Sequence, residues 1–188
     1  MRIIAGHYKG RTLQTVRDLT VRPTTDRAKQ TIFDILTNRV DFSGARILDL
    51  FAGSGGLGLE ALSRGAATVT FIEQSRKVLA MLEANVRALG VESKCSLHVA
   101  DAFWFLKSAA TSFDVIFCDP PYRLEAIGRL PEAIYDSAVS RDGTYVVMEH
   151  HRKSVIALSE TNYEILRKPF GQTTVLILKT LKPLLTAA

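Results

Sequence analysis

The sequence predicts an α/β fold: a doubly wound, mostly parallel seven-stranded sheet of Rossmann-like type, with helices on both faces and a C-terminal antiparallel hairpin. Three observations predict it. Arg46-Ile47-Leu48-Asp49-Leu50-Phe51 reads as a buried strand that runs into the glycine loop Ala52-Gly53-Ser54-Gly55-Gly56-Leu57-Gly58 and then into a helix. A second apolar strand, Phe113–Cys118, ends in Asp119-Pro120-Pro121-Tyr122, where the prolines fix φ and remove two backbone donors. Near the end, Tyr163–Arg167 and Thr173–Lys179 are joined through Pro169-Phe170-Gly171, close enough to pair as a hairpin.

The remaining elements follow in chain order. Residues 1–40 read as a short extension before the main domain of residues 41–182, with 183–188 as a tail. Gly6 and Gly10 flank His7-Tyr8-Lys9 as in a hairpin or looped arm, and Thr24-Thr25-Asp26 resembles an N-cap before a helix. Gly53 and Gly55 allow a tight turn close to a ligand, and Gly58 lets the helix Leu57–Arg64 approach the sheet. Thr68–Ile72 is a strand ending in Glu73-Gln74. Ser75–Gly90 carries Val78, Leu79, Leu82, Val86 and Leu89 at helical spacing, with a terminal glycine. Cys95–Val99 is a strand leading through Ala100-Asp101-Ala102-Phe103 into a helix to Ala110, capped by Asp101. Glu125–Val139 reads as a helix kinked or restarted at Pro131, and Gly143–Glu149 as the fifth strand. Trp104, between Phe103 and Phe105, is expected in the core.

The candidate chemistry sits at the strand ends. An acid such as Glu73, closing the strand after a glycine loop, can accept both hydroxyls of a ribose, a role common to dinucleotide and S-adenosylmethionine sites. Asp49 separates the two: a carboxylate there suits a cationic amino-acid moiety and repels a pyrophosphate. Asp101 and Phe103 offer an acceptor and a ring face for an adenine. Asp119 and the Pro120 carbonyl can accept from an exocyclic amine, and the Tyr122 ring can stack on an unstacked base.

Composition bounds the reading. A chain of 188 residues with 47% hydrophobic content fits one domain with a sizeable core. No apolar run is long enough to span a membrane and the N-terminus lacks a signal-peptide pattern, so a cytoplasmic location is expected. Cys95 and Cys118 fall on strands, without metal-like spacing. Glu149-His150-His151 alternate in direction, so no metal site is expected. Residues 1–30 hold seven bases against Asp18 and Asp26, which accounts for the whole formal charge of +5. A polyanion is the natural partner of such a segment.

These motifs together resemble the class I S-adenosylmethionine-dependent amino-methyltransferases, and more narrowly the bacterial small-subunit ribosomal RNA guanine-N2 methyltransferases. The resemblance runs from Arg2-Ile3-Ile4-Ala5-Gly6 with Lys9-Gly10-Arg11, through Arg22-Pro23-Thr24-Thr25-Asp26-Arg27 and the glycine loop, to Asp119-Pro120-Pro121-Tyr122. Lys29-Gln30 stands where the family commonly has Arg-Glu, keeping the base and lacking the acid. The resemblance implies S-adenosylmethionine held by Asp49, Phe51, Ala52, Gly53, Ser54, Gly55, Gly58, Glu73, Gln74, Asp101, Ala102 and Phe103. It implies catalysis by Asp119, Pro120, Pro121 and Tyr122. RNA contacts would come from Arg2, Tyr8, Lys9, Arg11, Arg22, Arg27 and Lys29, and the enzyme would act as a monomer on ribosomal RNA, free or in an assembled particle. Methylation of another base amine, such as adenine N6 of RNA or DNA, shares the Asp-Pro-Pro-Tyr loop. A nicotinamide-dependent oxidoreductase is disfavoured by Asp49, and a non-catalytic RNA-binding module by the full set of carboxylates.

Overall fold

A computed structural model describes residues 1–15, 26–121 and 124–183. Among the described residues five α-helices and seven strands follow in order, alternating up to β5: α1 Asp26–Thr37, β1 Arg46–Asp49, α2 Gly56–Ser63, β2 Thr68–Glu73, α3 Arg76–Leu89, β3 Cys95–Val99, α4 Ala102–Ser108, β4 Val115–Cys118, α5 Leu130–Asp136, β5 Tyr145–His151, β6 Tyr163–Phe170 and β7 Thr173–Thr180. The strands form one sheet in the order β3-β2-β1-β4-β5-β7-β6. The first five in this order are mutually parallel, while β7 is antiparallel to both β5 and β6. Chain order reverses between β1 and β4, so the crevice above their carboxyl ends is where such sheets hold ligands.

Two apolar layers cover the sheet. One face packs Ile47, Val69, Phe71, Phe117, Val147 and Ile177 under α1, α2 and α3. The other packs Leu48, Ile72, Ile116, Val146, Met148 and Leu176 under α4 and α5. The central strand β4 is buried along its whole length, as expected for a strand covered on both faces.

Several expectations sharpen. Ser75 caps α3 by accepting from the Val78 amide, and Gly90 closes it in a left-handed conformation. The segment after the Asp-Pro-Pro loop is a 3-10 turn, Glu125–Arg129, followed by α5 with Pro131 in its first turn, where the missing amide costs nothing. Pro169 is tolerated inside β6 because that strand lies at the sheet edge. Trp104 corrects the sequence reading: it is 63% exposed. In the seven-residue α4, Ala102 and Leu106 occupy the inward face, which turns Trp104 outward.

Residues 1–15 form a hairpin, with Ile3 and Arg11 paired through the Ile3 amide and the Gly10 amide returning to the Ile3 carbonyl. The hairpin lies along α2. Ile3 and Leu13 join the core beneath α1. Glu60, one turn into α2 and fully buried, holds the assembly: its carboxylate accepts from the amides of Ile4 (2.7 Å) and Ala5 (3.0 Å), from Arg64 Nε (2.9 Å) and faces Lys29 Nζ at 3.4 Å. Further down α2, Ser63 Oγ accepts from the Tyr8 amide and donates to the Ala5 carbonyl. The Arg64 guanidinium lies over the Phe33 ring at 4.6 Å, which shields its buried side.

Glu60→Ala is expected to destabilise the protein by about 3 kcal/mol or more, because it strands the buried Lys29 and two amides. Lys29→Met should cost less, since the other donors still satisfy Glu60. Denaturant unfolding measures both; faster tryptic cleavage after Lys9 and Arg11 in Glu60→Ala reports the undocked hairpin, and equal midpoints for the two variants would refute the assignment.

Candidate active site

The site is built where β1, β2 and β4 end together. β1 pairs with β2 on one side and β4 on the other, Asp49 lying level with Phe71 and Phe117. Asp49 is only 2% exposed. Its Oδ2 accepts from the Gly58 amide at 3.0 Å, which ties the carboxylate to the first turn of α2. Gly58 has no room for a side chain: a Cβ there would lie 2.4 Å from Phe71 Cε1 and 2.8 Å from Val69 Cγ1.

Burial pushes the Asp49 carboxyl up to about 7; the nearby charges of Asp119 and Glu73 add to the rise, and the Gly58 amide opposes it. These three carboxylates therefore share a field that favours a cation. Glu73, at the end of β2, accepts from the Gly53 amide through Oε2 (3.0 Å) and from the Ser75 amide through Oε1 (2.8 Å). It thereby fixes the glycine loop, and each oxygen keeps a further lone pair for a ligand hydroxyl. Gly53 takes φ of 53° and Gly55 of 85°, and a Cβ on Gly53 would meet nothing within 4 Å, so the loop presents open space beside its backbone.

On the β3 side, Asp101 caps α4 through Oδ1 to the Trp104 amide at 2.9 Å. Ala102 is buried, Phe103 and Phe51 are half-buried against the α4–α5 layer, and Gln74 is exposed. On the β4 side, Asp119 is half-buried, Pro120 buried and Pro121 exposed, and the Pro121 carbonyl accepts from the Leu124 amide. Tyr122 lies outside the described residues, as do Arg22 and the Thr24-Thr25 pair. Cys118 points into the opposite core, its thiol pushed well up by burial and by Asp119 and Asp49, so it cannot serve as a thiolate nucleophile.

The expected RNA-binding residues divide. Arg2, Lys9, Arg11 and Arg27 are exposed, Arg2 pairing with Asp26. Lys29 corrects the sequence reading of an exposed base: it is fully buried, donates to the Arg2 carbonyl at 2.6 Å and faces Glu60, so it braces the hairpin from within. Tyr8 is half-buried against the core and edge-on to His7.

Asn85 escaped the sequence reading. Its Oδ1 accepts from the Gln14 amide (2.8 Å), while its Nδ2 donates to the carbonyls of Gln14 (3.0 Å) and Ser54 (2.9 Å). One amide thus joins the hairpin to the glycine loop. The signal was an Asn on the apolar Leu82-Val86-Leu89 face of α3, where a polar side chain must find partners.

Known proteins match this arrangement over nearly its full length. The family model described as conserved hypothetical protein 95 matches residues 1–179. The Bacillus subtilis (strain 168) protein YlbH is 37% identical over 185 residues, covering 95% of this chain and 98% of that protein. The Escherichia coli (strain K12) protein named ribosomal RNA small subunit methyltransferase D is 33% identical over 168 residues, covering 89% and 83%. The solved structure of Escherichia coli yhhF superposes with a TM-score of 0.85 at 32% identity, covering 96% of this chain and 97% of that one. The chain belongs to the conserved hypothetical protein 95 family, in the company of proteins named ribosomal RNA small subunit methyltransferase D.

Proposed function

We propose that the protein transfers the methyl group of S-adenosylmethionine to the exocyclic N2 amine of a guanine in small-subunit ribosomal RNA. The observation that carries the reading is the trio of Asp49, Glu73 and Asp119 around an open glycine loop, with an Asp-Pro-Pro loop beside it. The residues fit a cofactor that bears positive charge and a ribose. Asp49 is desolvated and already shifted toward its neutral form, so a cation beside it recovers ionisation energy that the bare site withholds. Glu73, held by two amides, can take ribose hydroxyls, and Asp101 and Phe103 flank the place for an adenine. When bound, S-adenosylmethionine would supply an electrophilic methyl on a sulfonium and leave as the neutral thioether S-adenosylhomocysteine, while the proton released from the methylated amine would pass to Asp119 or to solvent.

The chain's own residues prepare the nucleophile. An aromatic amine donates its lone pair into the ring and attacks poorly. Asp119 and the Pro120 carbonyl would accept the two N–H hydrogens, which draws the nitrogen toward a pyramidal geometry and frees the lone pair. Tyr122 would hold the base plane by stacking. The rigid Pro-Pro segment keeps these acceptors in place, so positioning supplies much of the rate. The names of the relatives support ribosomal RNA as substrate, and the exposed Arg2, Lys9, Arg11 and Arg27 are available for its phosphates.

Incubating the protein with labelled S-adenosylmethionine and small-subunit RNA, assembled particles or duplex DNA, then identifying the modified nucleoside, tests the reading. N2-methylguanosine supports it, and methyladenine or no product overturns it. Asp119→Ala should abolish transfer while leaving cofactor affinity within a few-fold in equilibrium titration; retained turnover would remove Asp119 from its role.

Asp49 gives a pH signature. The native carboxyl holds its proton up to about pH 7, whereas the unfolded chain releases it near 3.8, so the ligand-free protein loses stability as pH rises across that window. Binding a cation favours the carboxylate. Affinity for S-adenosylmethionine should therefore rise with pH up to about 7 and level off above it, with proton release in calorimetry below that value. Asp49→Asn should flatten the profile, and an unshifted profile in that variant would show that Asp49 is not the titrating group.

A further inference from the structure

We infer that a second RNA-phosphate surface lies on the β5–β6 rim of the sheet and is formed by Arg152, Lys153, Arg167 and Lys168. The inference rests on the proposed reading of an RNA substrate, and it places phosphate-binding groups in residues 31–188, whose 17 bases and 17 acids cancel overall.

Topology brings these residues to the rim of the Asp-Pro-Pro loop. Because β7 is antiparallel to both β5 and β6, β6 runs in the direction of β4 and β5, and the carboxyl ends of all three emerge at one edge. Cys118, just before Asp119, pairs with Met148; Met148 pairs with Leu176, and Leu176 with Arg167. Three strand spacings separate β4 from β6, about 14 Å, which matches the rise of about four stacked nucleotides of one strand. Arg152 and Lys153 follow β5 directly, and the Arg152 amide donates to the Gln172 carbonyl at 2.8 Å, which holds that turn beside the β6–β7 turn.

All four side chains are exposed and none forms an ion pair among the described residues; Arg167 lies on the face of Tyr163 and Ile165 and Lys168 on that of Leu166 and Phe170, so the two flank the outer edge of β6 from its two faces. By contrast, Lys179 near the opposite end of the hairpin is paired with Glu164. The acid of the rim, Glu149, is half-buried, level with Val175 and Lys168. The same loop carries Val155, 87% exposed, and its carbonyl stands 3.0 Å from where a Cβ on Gly128 would lie, which sets the loop against the 3-10 turn that follows the Asp-Pro-Pro segment. An apolar side chain among cations next to a base-handling loop suits a single strand, with bases on one side and phosphates on the other.

The tip of the N-terminal hairpin, with Lys9 and Arg11, serves a different place. It is bonded to Ser63, the last residue of α2, while the glycine loop precedes the first; eight residues of helix put the two about 12 Å apart. Phosphates near the target base therefore meet the β5–β6 rim, and the hairpin tip reaches more distant ones.

The test compares the full-length protein with Arg152→Gln/Lys153→Gln, Arg167→Gln/Lys168→Gln and the four-fold variant. Association with protein-free small-subunit RNA is measured against salt, and methyl transfer by kcat and KM. With all four cations replaced, the slope of log affinity against log salt should shallow by about 3, so that the variant is spared about fifty-fold of the weakening that the natural protein suffers between about 50 and 200 mM salt. KM should rise more than kcat falls, and thermal midpoints should stay put because the side chains are exposed. A natural protein with steep salt dependence and a four-fold variant with the same slope would overturn the rim while leaving the RNA reading intact. A defect seen only with assembled particles would mean that the rim meets protein, and would overturn it too. A natural protein without salt-dependent RNA association would overturn the underlying reading.

Discussion

The close seating of α2 on the sheet at Gly58 is the constraint from which both ends of the site follow. A side chain there would penetrate Phe71 and Val69, so the helix lies where only glycine permits. That approach brings the Gly58 amide within 3.0 Å of Asp49 and so fixes the carboxylate at the end of β1. Two residues along, Glu60 turns to the other side and gathers the hairpin amides, Arg64 and Lys29. Lifting α2 by the width of one methyl group would loosen the cofactor loop and the hairpin together. Asn85 adds a second tie between the same two parts through Ser54 and Gln14, so the loop and the hairpin are braced from both α2 and α3.

Much of this was legible in the sequence because each signal was local. The strand–glycine loop–helix run, the acid closing β2, the apolar face of α3 with its Ser75 and Gly90 ends, and the rigid Asp119-Pro120-Pro121 segment all depend on residues within a few positions of one another. The C-terminal hairpin was visible through its turn and alternation. What the sequence hid depends on partners far away in the chain. Lys29 reads as one base among several in a positive segment, yet Glu60, 31 residues away, draws it inward. Its lowered pKa reflects that burial, only partly offset by Glu60. Trp104 reads as core because aromatics usually are, but a two-turn helix exposes one face and Trp104 stands on it. Charge counting along the chain likewise missed the β5–β6 rim: its four bases are diluted in sequence by Glu160 and Glu164 and separated from them only by the path of the strands.

The distribution of charge across the rim has a physical logic. The central crevice gathers carboxylates and the flanks gather bases, an arrangement that would collapse if the two could neutralise each other. The β6 bases are kept from doing so by the width of the sheet: the three strand spacings from β4 to β6, about 14 Å, exceed the screening length of about 8 Å at physiological ionic strength. The Asp49 carboxyl is raised by burial and by two other acids, and the Gly58 amide opposes them. No base of the flanks enters that balance. A polyanion held on the flanks keeps its phosphates away from a crevice whose carboxylates would repel them. A base must enter the crevice with its phosphates held outside it, and the fold meets both demands by placing acid at the ends of β1, β2 and β4 and base beyond the ends of β5 and β6.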